Sequence, residues 1–524
     1  MNTEAIPSFK PIKEQQRALE LFLKHEGLRI DAYAGTGKTT TLQLLAASTP
    51  KRALYLAFNR SIALQAQGRF PARVTCATSH SVAFRGVRRA FGYPEWKLTG
   101  SLSPRLIVEA FSMPEAIFLS NGVTLPRLSY ASVLLESLKQ FLQSGDAEPH
   151  TWHIPRHGAL ASLSEVDFKH FAEQAIARVT AMWDAMRQKT GGLPLGHDGY
   201  LKLWALSKPQ ARTDYIMVDE AQDLNPVLLG VLEGLDCPIV YVGDPYQQIY
   251  EWRGAVNAME RVASRNSVLL SQSFRFGAEI AAAATIVLRK LGARDPLRGL
   301  PSTTSHLGRV RPDVILARTN AGVIENVLQC LRRNVRCAVL GGTRELKRVL
   351  VDVRRIKQGA AGSVPELLGF STWRDVMTFS VQPEGEYLRS LVNLVQEHGE
   401  DRMLSGLDRC EDTEETAQIV CSTAHRANGR EWDRAKSFDA EARLLYVAMT
   451  RARLAVHLPA EIQKRFGLRN TTSEILGKPR SETMPAKLAE DQSSLEQTPE
   501  AVSPYHAPRA GDSREMAALK RIFT

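Results

Sequence analysis

Two short stretches of this chain carry residue types able to grip and cleave a phosphoanhydride. In the first, LRIDAY reads as a β-like run that leads into Ala34-Gly35-Thr36-Gly37-Lys38-Thr39 and then into a helical pattern. Glycines let the backbone curl so that consecutive N–H groups face phosphate oxygens, and the positive end of the following helix adds to that field. Lys38 then offers its cation to the β/γ-phosphates and Thr39 its hydroxyl to Mg²⁺. One departure is visible: the usual first glycine of G-x-x-x-x-G-K-T is Ala32. In the second stretch, the apolar run Tyr215-Ile216-Met217-Val218 delivers Asp219 to a Mg²⁺ shell and sets Glu220 where it can orient or deprotonate a water. Alone, each has a bland reading, as a Gly-rich turn or a strand that ends in two acids. Together they supply both the phosphate grip and the metal-plus-base pair that hydrolysis needs.

Elements must exist to hold these residues. At 524 residues the chain is too long for one core, and length alone suggests roughly three or four domains. A composition of 44% hydrophobic and 23% charged residues excludes a disordered, collagen-like or repeat-only chain. No apolar run approaches a membrane helix, and MNTEAIPSFKPIKEQQ lacks a secretory layout, so no membrane partner and a cytoplasmic, nucleoid-associated location are expected. Sixty-seven Lys and Arg against 56 Asp and Glu give a net charge of +11. That balance is compatible with a polyanionic partner but does not establish one. The six cysteines at 76, 237, 330, 337, 410 and 421 show no C-x-x-C spacing, which points to reduced structural thiols.

An α/β fold follows from the alternation of helical patterns with LRIDAY, RALYLAF and ARVTCAT. The pattern predicts a first lobe from 1–85 and 213–270, interrupted by a mostly helical insertion over 86–212. A second lobe is expected from 271–342 and 417–469, with a small helical insertion over 343–416. From 470 to 524 the sequence is rich in Ser, Pro, Glu and Ala, which predicts a flexible tail. Its end, SREMAALKRIFT, could dock a protein partner through Met516, Leu519 and Ile522.

DEAQD (219–223), followed by VGDPYQQIYEWRGA (242–255), QSFRF, NGREWD and VAMTRAR in this order, resembles the superfamily 1A helicases of the UvrD/Rep type. The likeness is nearest to the core of F-box DNA helicases, judging by AYAGTGKTTTL, AFNRSIALQAQ and QSFRFGAEIA, with no F-box segment ahead of it. The resemblance implies two RecA-like P-loop NTPase lobes using ATP and Mg²⁺. It implies that Gln15 reads adenine, and that Ala34, Gly35, Thr36, Gly37, Lys38, Thr39, Thr40 and Glu431 line the nucleotide. Gln247 would sense the γ-phosphate, Arg275 and Arg451 would approach it from the second lobe, and Thr39 and Asp219 would hold the metal. Candidates for binding a single DNA strand are Phe58, Asn59, His80, Tyr250, Trp252, Arg253, Thr423 and His425, with Trp252 as the foremost stacking platform.

Two features depart from the family pattern. Asn428-Gly429-Arg430-Glu431 lacks the usual Lys, and WDRAKSFDAE (432–441) is shorter than expected, where relatives place another strand. The expected activity is ATP-dependent, 3′ to 5′ translocation on single-stranded DNA with unwinding at single-strand/duplex junctions, in repair or recombination. The sequence leaves two alternatives open: a DNA-translocating ATPase that strips proteins without processive unwinding, or a nucleotide-gated DNA-binding subunit of a repair or phage-defence complex.

Overall fold

The computed structural model describes residues 10–24, 27–157, 160–249, 257–262, 266–364, 367, 370, 372–382, 385–427, 430–437, 442–470 and 474–475. The first part of the chain contributes β1 (Leu28–Ala32), β2 (Ala53–Ala57), β3 (Val74–Thr78), the hairpin β4 (Ala116–Phe118) and β5 (Thr124–Pro126), then β6 (Tyr215–Val218), β7 (Ile239–Gly243) and β8 (Ser267–Leu270). Six of these form a parallel sheet in the order β3-β2-β6-β7-β1-β8. Strands β2, β6 and β7 are buried at every position, as parallel strands with both faces covered must be, which is why ALYLA, YIMV and IVYVG read as unbroken apolar runs.

A second six-stranded parallel sheet has the order β12-β13-β11-β14-β15-β9. Its strands are β9 (His306–Leu307), β11 (Val314–Ala317), β12 (Cys337–Val339), β13 (Ile419–Thr423), β14 (Trp432–Ser437) and β15 (Ala452–His457), while β10 (Arg309–Val310) pairs with β16 (Glu474–Ile475) at its margin.

The chain leaves the first sheet after β3 and returns at β6. In between, helices Ser79–Phe91, Arg127–Gln143, Glu165–Arg187 and Gly196–Leu206 pack around Leu138, Phe141, Val179, Trp183 and Tyr200. It leaves the second sheet after β12 and returns at β13, through helices Arg344–Lys357, Trp373–Ser380, Glu386–His398 and Glu400–Asp408. The helix Arg344–Lys357 buries Leu346, Val349, Leu350, Val353 and Ile356, a stripe at helical spacing that turns its basic residues outward. No helix among the described residues is long and apolar enough to cross a membrane.

The mostly helical stretch over 86–212 also holds the β4–β5 hairpin. Two expectations need amendment. Residues 474–475, assigned to a flexible tail, lie in β16 against β10; a two-residue strand carries no periodicity to read. The short 432–441 segment keeps a strand after all, because β14 fills the gap between β11 and β15. Its sequence, WDRAKS, does not look like an interior strand because it contains Arg434. That guanidinium is buried, donating through Nε and Nη2 to Asp313 at 3.2 and 2.6 Å, while the Arg434 backbone N–H donates to the same carboxylate at 2.9 Å. A carboxylate 121 positions away in sequence thus makes a charged residue acceptable in mid-sheet.

Removing that carboxylate takes the acceptor from three Arg434 donors, two of them on the buried guanidinium. Asp313→Ala should therefore cost about 3–5 kcal/mol of stability, read as a fall in the urea midpoint; an unchanged midpoint would show that the pair does not hold β14 in place.

Candidate functional site

In open parallel sheets ligands bind beyond the carboxyl ends of the strands, and the candidate residues of the first lobe gather there. The 34–39 loop follows β1, Phe58 follows β2, His80 follows β3, Asp219 and Glu220 follow β6, and Asp244 follows β7. The loop turns through Gly35 and Gly37, both at positive φ (74° and 77°), and Gly37 caps the helix Lys38–Ala47. At Gly35 even a methyl group would lie 2.5 Å from Ser273 Oγ and 2.8 Å from Arg275 Cβ. A glycine here is thus required by the approach of the second lobe as well as by the turn. Ala32, where a glycine is usual, is the last residue of β1, paired with Leu270; a strand position makes no demand that only glycine meets.

Lys38 Nζ contacts Glu220 Oε2 at 2.7 Å. Burial pulls the Lys38 pKa down, but the carboxylates of Glu220, Asp244 and Asp219 outweigh it and hold the ammonium above the ordinary lysine value. Burial pushes Glu220 up, yet Lys38 and the Gln222 amide hold it below the usual carboxylate range. Asp219 moves the other way: burial and the neighbouring Glu220 charge raise it. Glu220 has φ 53°, a left-handed conformation that costs a non-glycine residue roughly 1–3 kcal/mol. The Thr39 hydroxyl donates to Asp219 Oδ2 at 3.0 Å and the Tyr55 hydroxyl to the same oxygen at 2.7 Å. A hydroxyl and a carboxylate so placed are hard oxygen donors of the kind Mg²⁺ takes, and their proximity fits the expected pair of protein ligands.

A hydrogen-bonded relay crosses between the two sheets. Tyr446, on the helix Ala442–Met449 of the second lobe, donates to Asp244 Oδ2 at 2.9 Å and accepts from the Ala34 backbone N–H at 2.9 Å. Gln247 Nε2 donates to the same Asp244 oxygen at 2.7 Å, and Gln247 Oε1 accepts from Arg451 Nη2 at 2.6 Å. Gln222 closes the network on the first lobe, accepting from the Asp244 N–H at 3.0 Å and donating to Glu220 at 2.8 Å. Asp244 is fully buried, and burial pushes its pKa up to about 6 against Lys38 and these hydrogen bonds. Arg451 is buried too, and burial, with the nearby Arg275 charge, brings its pKa down to about 10. Arg275 donates through Nε to Glu431 Oε1 at 2.8 Å and through Nη1 to the Thr450 carbonyl at 2.9 Å.

The remaining candidates are dispersed. Gln15 is buried, its amide donating to Thr41 and accepting from the Ile12 N–H; Thr40 is half-buried on the helix after the loop. Asn59 accepts from the Ile62 N–H as the cap of the helix Arg60–Gln67, so its side chain has a structural task. Phe58 is 42% exposed. Thr423 ends β13 and accepts from the Arg426 N–H, with His425 half-buried beside it. Tyr250, Trp252, Arg253 and Asn428 lie outside the described residues, as does the sequence from 476 onward. A cavity of about 130 Å³ is lined by Phe58, His80 and Asp198 together with Asp219, Glu220 and Asp223, so strand-binding and nucleotide candidates line one space.

Sequence reasoning passed over Tyr446, Tyr55, Gln222, Asp244 and Glu14. Asp244 carried the same signal as Asp219, an acid ending an apolar strand. Glu14, next to Gln15, accepts from the Ser271 N–H at 2.8 Å, the Ser271 hydroxyl at 2.6 Å and the Gln272 N–H at 3.3 Å, clamping the segment by which the chain passes from β8 toward the second sheet. Nothing local in the sequence marks that role.

Residues 165–264 match the UvrD/REP helicase N-terminal domain. The chain is 30% identical to F-box DNA helicase protein 1 of Schizosaccharomyces pombe, over 89% of this chain and 59% of that protein. It is 29% identical to F-box DNA helicase 1 of Gallus gallus, over 82% of this chain and 45% of that protein. A shorter match, 31% identical over 16% of this chain and 12% of the relative, is to the putative ATP-dependent DNA helicase YjcD of Bacillus subtilis. The chain thus spans about half the length of the long curated relatives it matches. With two six-stranded parallel sheets, a P-loop after the first strand, and these similarities along most of its length, the chain is similar to the UvrD-like superfamily 1 helicases.

Proposed function

We propose that this chain hydrolyses ATP in the cleft between its two sheets and uses the resulting movement to travel 3′ to 5′ along single-stranded DNA, unwinding duplexes in repair or recombination. The observation that carries the reading is the continuous network from Lys38 and Glu220 through Gln222, Asp244 and Gln247 to Tyr446 and Arg451. Its members come from both lobes, so anything that perturbs it in one lobe is felt in the other.

Each cation that could meet a γ-phosphate is already paired with an acceptor. Lys38 rests on Glu220, Arg275 on Glu431 and Arg451 on Gln247. In the proposed cycle the triphosphate takes over these cations. Lys38 turns to the β/γ-oxygens, which releases Glu220 to accept a proton from the attacking water. Arg275 and Arg451, planar and charged, stabilise the charge that spreads over the transferred phosphoryl group. Mg²⁺, held by Thr39 and Asp219, would supply further neutralisation of phosphate charge. Product release returns the cations to protein acceptors and lets the lobes separate. Phe58 and His80, which line the same cavity as Glu220, are the described residues through which strand contact would reach the carboxylates.

Four outcomes test this reading. Lys38→Ala and Glu220→Gln should each lower DNA-stimulated ATP turnover on the order of 10²–10⁴-fold, with Glu220→Gln still binding nucleotide in a fluorescent-analogue titration; near-normal turnover in both would remove this active site. Protonation of Asp244 would weaken the bonds it accepts from Gln247 and Tyr446, which are strongest to the ionised carboxylate, so turnover should fall as pH drops through about 6. Tyr446→Phe deletes a donor that favours the carboxylate, which moves that fall to higher pH; a pH–rate profile identical to wild type would exclude the relay. Phe58→Ala should weaken single-strand binding by about 1–3 kcal/mol per base lost from stacking. On duplexes with a 3′ or a 5′ tail, strand separation is expected from the 3′ tail. Streptavidin displacement without strand separation would instead favour a protein-stripping translocase.

A further inference from the structure

Four of the six cysteines meet in one place. Cys330 lies on the helix Asn320–Arg332, Cys337 opens β12, Cys421 lies in β13, and Cys410 follows the helix Glu400–Asp408. The first three are buried and belong to one apolar cluster, with Cys410 half-buried against it. The Cys410 thiol donates to the Gly406 carbonyl at 3.9 Å. No disulfide joins the four cysteines. Among the described residues no group of three or more His, Cys, Asp or Glu has the arrangement of a metal site.

Backbone register singles out one pair. Ala338 and Glu411 form a parallel bridge, and the Glu411 N–H donates to the Cys337 carbonyl at 2.9 Å. Cys337 and Cys410 therefore sit one step before bridged partners on neighbouring chains. Parallel neighbours lie about 4.7–4.9 Å apart, inside the roughly 4.4–6.8 Å between Cα atoms that a disulfide spans. From this juxtaposition we propose that Cys410 and Cys337 form a redox-active dithiol that small-molecule disulfides oxidise, with Cys410 as the attacking thiol and Cys337 as the resolving one.

The environments of the two thiols suit these roles. Hydrogen bonding from Cys337, together with the Lys347 ammonium, holds Cys410 below the usual thiol range, although burial and the Asp408 carboxylate oppose this. Reactive thiols are of this kind: partly accessible, thiolate-prone and next to a second cysteine. Hydrogen bonds with Cys330, Cys410 and Cys421, and burial, push Cys337 up, so it remains protonated until Cys410 has reacted. With oxidised glutathione, the Cys410 thiolate attacks one sulfur, forming a mixed disulfide and releasing one glutathione thiolate. Cys337 then loses its proton and attacks Cys410 Sγ, expelling the second glutathione. Two protein thiols are oxidised and one glutathione disulfide is reduced to two thiols. The new bond would close a ring around residues 337–410, which contains the whole helical insertion between β12 and β13. It would staple the exit of that insertion to an edge strand of the second sheet.

The test treats the full-length protein with oxidised glutathione and maps its peptides by mass spectrometry without reduction. Wild type should yield a peptide pair joined through Cys337 and Cys410, and Cys337→Ser should accumulate glutathione on Cys410. In the untreated protein, Cys410 should react with iodoacetamide at least about tenfold faster than the other three clustered thiols. Stable glutathione on Cys410 of wild type would overturn the proposal. So would a disulfide between any other pair, no reaction at Cys410, or stoichiometric zinc in the protein as purified. The mapping and labelling both use the unmutated chain, so the outcome stands even where a variant fails to fold.

Discussion

Carboxylates crowded around one lysine form the constraint from which the rest of the site follows. Asp219, Glu220 and Asp244 all bear on Lys38, and burial opposes ionisation of each. Removing such groups from water is expensive unless every charge finds partners. The surrounding structure supplies them: Thr39 and Tyr55 for Asp219, Lys38 and Gln222 for Glu220, and Gln247 and Tyr446 for Asp244. On the proposed function, this is the site that receives the triphosphate together with its divalent cation.

The same need for partners draws on both lobes. The first lobe gives the Asp244 carboxylate the Gln247 amide and the Tyr246 N–H, and the second adds a phenol that also occupies the backbone N–H of Ala34 at the start of the 34–39 loop. Arg451 reaches across in the same way, to Gln247. Each of these contacts ties the second lobe to the 34–39 loop and its surroundings, and on the proposed function they are the means by which a bound nucleotide would be coupled to a rigid-body movement. Glu14, clamping Ser271 and Gln272, adds a second tie at the passage between the lobes.

The insertions are folded onto the sheets rather than hung from them. The larger one shares a continuous core with the first sheet, running from Leu54 and Ile216 through to Trp183 and Tyr200. The smaller one shares its core with β11, β12 and β13, which is how a residue just beyond its last helix, Cys410, comes to lie beside an edge strand. A change within either insertion is therefore transmitted through packed side chains to the sheet that carries the chemistry.

The sequence by itself determined the local chemistry. Unbroken apolar runs marked β2, β6, β7 and β11, because parallel strands buried on both faces must be apolar; β1, β3, β13 and β15 were marked by β-rich runs interrupted by polar residues, and Gly-Thr-Gly-Lys-Thr after β1 was the sequence's pointer to a phosphate. Tertiary structure decided whatever depends on distant partners. β14 was hidden because Asp313 neutralises Arg434, and the reason for Gly35 lay in the closeness of Ser273 and Arg275. Asn59, a strand-binding candidate by its place in the sequence, has its side-chain oxygen engaged in capping a helix. Tyr446 looks like one more apolar helix residue until Asp244 and Ala34, more than 200 and 400 positions away, are brought to its hydroxyl. Periodicity and spacing report on neighbours along the chain; a buried charge or hydroxyl acquires its role only from the groups that folding sets against it.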